Sequence, residues 1–153
     1  MKYENLFLVL GSNSFTGSNF VNHLINLNHK VVCVSRSSEA KQYLLGYPKK
    51  SSKKYFYKLD LNKDHNKLVR LIKKKKPKYI VNFSSQSMVA QSWNKPLDWY
   101  NTNVIGSIKL IEKIKKFSFI KKFIHISTPE VYGSNNNKIK ENFNFNPSTP
   151  YAI

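Results

Sequence analysis

Acid is what this chain has least of. Its 153 residues hold eight Asp and Glu against 26 Lys and Arg, a formal charge of +18. There is one cysteine, Cys33, so no internal disulfide can form. It lies in the apolar run 31–34 and reads as small core filler, which fits a cytoplasmic setting. No run of about 18 apolar residues exists, so no transmembrane helix is expected. Lys2, Tyr3 and Glu4 lead straight into an apolar strand pattern, and no signal peptide is expected. The four histidines lack metal-ligand spacing, so no metal site is expected.

Such a charge raises the question of a nucleic-acid partner. Lysine dominates the base, beside abundant Asn, Ile, Phe and Tyr, all favoured by AT-rich codons. The lysines are scattered, as at 49–50, 73–76 and 115–116, mostly at element ends. Codon bias is therefore preferred as the explanation. A basic nucleic-acid-binding module stays as the alternative from another class.

The chain is long enough for one domain with a core. Apolar runs mark strands at 6–10, 31–34, 55–59, 79–83 and 123–127. Helical patterns fall at about 17–27, 39–45, 64–75 and 97–117, with Val104, Ile108, Ile111 and Ile114 expected inward on the last. Alternating strand and helix predicts an α/β fold, a doubly wound parallel sheet of order 3-2-1-4-5. A ligand would sit at the carboxyl ends of strands one and four, where the winding reverses.

The stretch Gly11-Ser12-Asn13-Ser14-Phe15-Thr16-Gly17 lies between the first strand and the first helix. Gly11 permits a sharp turn, and Gly17 lets the helix lie close to the sheet. Free N–H groups at the helix start would face a pyrophosphate. Ser14 stands where a third glycine is usual, so the loop alone is a degenerate signal.

Further motifs follow in order: Asp60-Leu61, Asn82 to Ser87, Thr102 to Gly106, Ser127 to Gly133, and Pro150-Tyr151-Ala152. Together with the glycine loop they resemble the NAD(P)-dependent sugar-nucleotide epimerase/dehydratase family of extended short-chain dehydrogenase/reductases. The nearest pattern is that of 4,6-dehydratases such as those acting on GDP-mannose. The resemblance implies a Rossmann domain over residues 1–153, truncated after strand five, with the C-terminal substrate domain absent. It implies cofactor contacts at 11–17, Asp60, Leu61, Phe83, Ser84, Ser85, Gln86, Tyr100 and Asn103. Asp60 is equally readable as a helix N-cap, and Trp93, Trp99 and Tyr100 as core.

It also implies a nucleotide-sugar substrate, hydride transfer at the sugar C4, no specific nucleic acid, no membrane, and a homo-oligomer for the full-length protein. Tyr151 would be the base at the C4 hydroxyl, Thr128 would bond the same hydroxyl, and Glu130 would take the C5 proton. A tyrosine titrates near about 10, so this base needs a nearby cation. The family supplies a lysine four residues on, past Ile153, so the chain as given is expected to be inactive and poorly stable. The family's aspartate is Pro129 here, leaving Glu130 to serve twice. A 4-epimerase or reductase of the same family is the alternative. Arg36 and its neighbouring serines, at the end of strand two, favour NADP over NAD, although Glu39 could still reach a ribose.

Overall fold

The computed structural model describes residues 4–153; Lys2 and Tyr3 lie outside the described residues. Five parallel strands form one sheet of order β3-β2-β1-β4-β5, as the alternation of patterns predicts. They are β1 (Leu6–Leu10), β2 (Lys30–Ser35), β3 (Lys54–Lys58), β4 (Tyr79–Asn82) and β5 (Lys122–His125). In register, Leu8 lies between Val32 and Ile80, and Leu10 between Val34 and Asn82. β1 is thus central, and the winding reverses between β1 and β4.

The strands are continuous apolar runs because both sheet faces are covered. On one face α1 (Phe15–Asn26) sets Val21 and Leu24 against Val9, Val31 and Cys33. Cys33 is fully buried and its thiol is pushed up to about 12, first by that burial, so it is inert filler as expected. On the other face α2 (His65–Lys75) and α5 (Ser107–Ile114) pack Leu68, Ile72, Leu110 and Ile114 against Leu8, Leu10 and Ile80. Among the described residues no helix is long and apolar enough to cross a membrane.

Three expectations need correction. The pattern at 39–45 forms only one tight turn, Gln42–Leu44. The long helix at 97–117 is broken into α4 (Pro96–Trp99), a π-helical stretch Tyr100–Gly106, and α5, with an unforeseen short helix α3 (Val89–Asn94) before it. Gly106 lets the π stretch press on the loop after β3, since a Cβ there would stand 2.8 Å from Asn62 Oδ1. Re-phased by that extra turn, Leu110 and Ile114 face inward, while Val104, Ile108 and Ile111 are exposed.

Candidate functional site

The loop after β1 turns at Gly11, whose φ is +78°, in the left-handed region. A Cβ there would lie 2.7 Å from the Phe83 carbonyl carbon, so only glycine lets the loop touch the chain leaving β4. Gly17 is as tightly placed, but against the loop rather than the sheet: its Cβ would lie 2.4 Å from Gly11 O. Ser14 caps α1, its Oγ accepting the Gly17 N–H at 3.0 Å from an extended backbone, φ −70°. That conformation needs no glycine, which explains how serine stands at the degenerate position.

Most of the loop's N–H groups are already used. Gly11 and Ser12 donate to Val34 O, Asn13 to Ser35 Oγ, Ser14 to Gly11 O, and Gly17 to Ser14 Oγ. Phe15 and Thr16 at the start of α1 keep theirs free among the described residues. Two free donors at the positive end of a 12-residue helix fit a pyrophosphate. The fit is narrower than the sequence implies, because five of the seven loop N–H groups hold the loop itself.

Two cavities flank this turn and share Ser14, Phe83 and Ser85. The first, about 260 Å³, runs past Gly11 and Asn13 to Arg36, Asp60 and Leu61, with Ser84 opposite. The second, about 540 Å³, is bounded by Phe15, Thr16, Tyr100, Asn103, Thr128 and Tyr151. Sharing Ser14, Phe83 and Ser85, the two meet at the α1 N-terminus, the arrangement that a dinucleotide with its pyrophosphate there would take.

Not every candidate reaches this cleft. Ser12 is buried and shares a 3.3 Å hydrogen bond with Ser35, and neither it nor Gly17 lines either cavity. Gln86 lines a neighbouring groove, where its backbone is held by Asn103. Glu130 lies half-buried in the turn Pro129–Tyr132 and lines neither cavity, although Thr128 and Val131 on either side line the larger one. Pro129 has a structural task as the first residue of that turn, where a missing N–H costs nothing. Thr128 caps it, its Oγ1 accepting the Glu130 N–H at 3.3 Å. Tyr132 donates to Asn142 O and packs on Phe145, clear of the cleft.

Asp60 lines the smaller cavity and does not cap α2; its Oδ1 accepts the Asn62 N–H at 2.7 Å, and Asp64 holds the cap position. Glu39 is turned away from the cleft. It pairs with Lys54, whose side chain is 5 % exposed, and accepts the Tyr47 O–H at 3.2 Å. It lines neither cavity, so it does not reach a ribose there. Asn13 ties the loop to the segment after β2, donating to Ser37 Oγ at 3.1 Å and to Ser38 O at 2.9 Å.

Sequence reasoning missed His125 and Asn62, and left Trp99 undecided. Trp99 is buried and lines the larger cavity, while Trp93 is exposed away from it. His125 lines the larger cavity, and loss of water around its ring there pushes its pKa below the ordinary 6.5. Asn82 Oδ1 accepts the Ser84 N–H, so its Nδ2 faces His125 Nδ1 at 3.2 Å and makes that nitrogen the acceptor. No signal short of the folded cleft marks these residues, because they are ordinary types at strand and helix ends.

Residues 8–153 match the family model described as GDP-mannose 4,6 dehydratase. The dTDP-glucose 4,6-dehydratase of Xanthomonas campestris is 30% identical over 95% of this chain and 42% of its own length. Among solved structures, a UDP-N-acetylglucosamine 4-epimerase from Methanobrevibacter ruminantium, in complex with UDP-N-acetylmuramic acid, superposes with TM-score 0.83. It is 32% identical, over 99% of this chain and 47% of that one. A dTDP-glucose 4,6-dehydratase from Bacillus anthracis in complex with NAD gives TM-score 0.80 at 29% identity, over 97% of this chain and 46% of that one. The chain spans less than half the length of the curated relatives it matches. With the family model covering nearly all of it, the chain belongs to the GDP-mannose 4,6 dehydratase family, among the extended short-chain epimerases and dehydratases.

Proposed function

We propose that this chain supplies the dinucleotide-binding domain and the proton-moving groups of a nucleotide-sugar 4,6-dehydratase. The observation that carries the reading is that Thr128 and Tyr151 face one cavity with the first turn of α1. NAD(P)+ bound along the cleft would supply the acceptor for hydride from the sugar C4. Phe15 and Thr16 would hold its pyrophosphate, with Gly11 and Ser14 shaping the turn. Tyr151 takes the proton of the C4 hydroxyl. Thr128 Oγ1 already accepts from Glu130 N–H, which leaves its O–H to donate to the same sugar oxygen. Glu130 takes the C5 proton that the C4 ketone acidifies. Proline at 129 cannot protonate the departing water, so Glu130 would pass the C5 proton to the C6 hydroxyl as it leaves. C6 would then take back the hydride from the reduced cofactor while C5 takes a proton from solvent, replacing the one Tyr151 releases.

A 4-epimerase is the second reading, favoured by one observation: Glu130 does not line the cavity, and epimerisation at C4 needs no base at C5. The cofactor is NADP(H) in this proposal, because Arg36 and Ser37 line the cleft at the end of β2 while Glu39 is turned away. The working protein is a cytoplasmic homo-oligomer in this proposal; the exposed Ile108 and Ile111 on α5 support the association.

The test is incubation of the full-length protein with GDP-mannose, dTDP-glucose and UDP-sugars. The expected product is a 4-keto-6-deoxy sugar, lost in Glu130→Gln while oxidation at C4 persists. A C4 epimer as the sole product overturns the dehydratase reading in favour of the second.

A further inference from the structure

The lysines that look scattered in the sequence are gathered by the fold. α2 and α5 pack side by side, and between their outer faces lies a groove of about 630 Å³. Lys63, Lys67 and Arg70 line it from the α2 side, and Lys109 and Lys113 from α5. The single acid lining it, Asp64, is committed: it accepts the Asp60 N–H at 3.0 Å and pairs with Lys67 at 2.8 Å. Lys113 donates to Asn66 Oδ1 at 2.8 Å, which holds that ammonium at the groove. Lys63, Arg70, Lys109 and Lys113 form no ion pair among the described residues.

His65 records the potential these groups create. Its two ring nitrogens are buried without a hydrogen-bond partner among the described residues. Burial first, then the charges of Lys113 and Lys109, hold its pKa below the ordinary 6.5, and Asp60 opposes them more weakly. The packing of Leu68 and Ile72 against Leu110 and Ile114 brings these like charges to one concavity, where they repel each other. A bound anion removes the repulsion.

The shape selects among anions. The volume lies within the range of small-ligand sites, roughly 300–1,000 Å³. No Phe, Tyr or Trp lines the groove, so no platform exists for stacking bases, which sets it apart from single-stranded nucleic-acid sites. Converging cations without an aromatic wall suit several phosphates close together and no base. The N-terminus of the 11-residue α2 adds to the positive field. Asn62, Lys63, His65 and Lys109 also line the adjoining groove, which reaches Asp60 and Arg36 at the end of the dinucleotide cleft.

We propose that the groove between α2 and α5 is a second binding site, separate from the dinucleotide cleft, for a compact oligophosphate anion. Its occupant is held by Lys63, Arg70, Lys109 and Lys113.

The experiment is calorimetric titration of the full-length protein with sodium tripolyphosphate, at about 150 mM salt so that diffuse attraction is screened. One saturable site is expected. Arg70→Gln with Lys109→Gln weakens it by about tenfold or more, since two charge-assisted hydrogen bonds from exposed side chains are lost together. Lys74→Gln with Lys116→Gln removes the same charge elsewhere and leaves affinity within about twofold, as exposed distant charges contribute little. Lys63→Gln alone serves as the second variant if the double one does not fold. In NMR titration of the His65 imidazole its pKa rises when tripolyphosphate binds. Four results overturn the proposal: no saturable binding; equal loss in the control variant; competitive displacement by NADP+ or NAD+; or displacement by an oligonucleotide at lower phosphate concentration, which would mark an extended polyanion surface.

Discussion

Asn103 closes both ends of its side-chain amide on the backbone of Gln86. Its Oδ1 accepts the Gln86 N–H at 2.8 Å, and its Nδ2 donates to the Gln86 carbonyl at 3.0 Å. Asn103 stands in the π-helical stretch, so the pair fastens the loop after β4 to that stretch, and both line or border the cleft. Asn103→Ala should lower stability by about 1–2 kcal/mol, because two part-buried backbone groups lose their partners. Dinucleotide affinity should fall with it. Asn103→Asp, which keeps the acceptor alone, should lie between. Thermal melting and a cofactor titration on the three proteins check this; an unchanged Asn103→Ala protein would remove the amide from any positioning role.

Cofactor choice turns on the end of β2. Arg36 and Ser37 line the cleft there, and Glu39 is held by Lys54 and Tyr47. Arg36→Ala should weaken NADP+ by about tenfold, the scale of one charge-assisted hydrogen bond, and leave NAD+ nearly unchanged. Binding titrations with both cofactors measure the difference. An equal loss for the two would show that Arg36 does not address a 2′-phosphate. Glu39→Gln should leave cofactor preference alone but destabilise the fold by roughly 3–5 kcal/mol, since it strands the buried Lys54 ammonium.

Strand order was legible because the parallel sheet is buried on both faces. Such strands announce themselves as unbroken runs, as Val31 to Val34 do, and the right-handed crossover then leaves few topologies. The cleft was legible through its motifs, since Gly11, Asp60 and Thr128 lie just past strand ends, Asn103 on the π-helical stretch beside them, and Tyr151 in the turn at 150–152 that borders the larger cavity. What escaped depends on phase and on internal hydrogen bonding. One π turn between Tyr100 and Gly106 rotates everything after it, so a helical pattern drawn through Ile108 and Ile111 selected the wrong face. The use of loop N–H groups by Val34 O and Ser35 Oγ comes from the neighbouring strand and leaves no mark in the glycine spacing. The gathering of Lys63 with Lys109 likewise exists only once α2 and α5 pack.

Two histidines give stability a pH dependence of known sign. His65 and His125 both have folded-state pKa values below the ordinary 6.5, each chiefly through lost hydration. The unfolded chain therefore binds more protons as acid is added, and stability falls as pH falls. It is fully present above about pH 6.5 and is lost as pH drops through the folded-state values. The melting temperature should decline between about pH 6.5 and 5, before most carboxylates titrate. His65→Gln combined with His125→Gln should flatten that decline. A melting temperature constant over this window in the original protein would contradict both assignments.

β5 leaves an apolar face uncovered. Ile124 lies beside the buried Val81, on the face of the sheet that α1 covers farther along, yet Ile124 is 39% and Ile126 42% exposed. Among the described residues β5 pairs only with β4, so its far edge also presents unpaired backbone groups. Exposed isoleucines beside an open parallel edge favour association with another chain. The 153-residue chain should self-associate, seen as a sedimentation coefficient that rises with concentration. Two surfaces could carry this, the β5 face and the stripe of Ile108 and Ile111 on α5, and paired variants separate them. Ile124→Thr with Ile126→Thr keeps β-branched shape for the strand while removing apolar area. It should abolish most of the association if the β5 face carries it. Ile108→Lys with Ile111→Lys should then have little effect, since those positions are exposed and helix-compatible. The reverse pattern would assign association to α5, and a chain that stays monomeric throughout would show that neither face is adhesive.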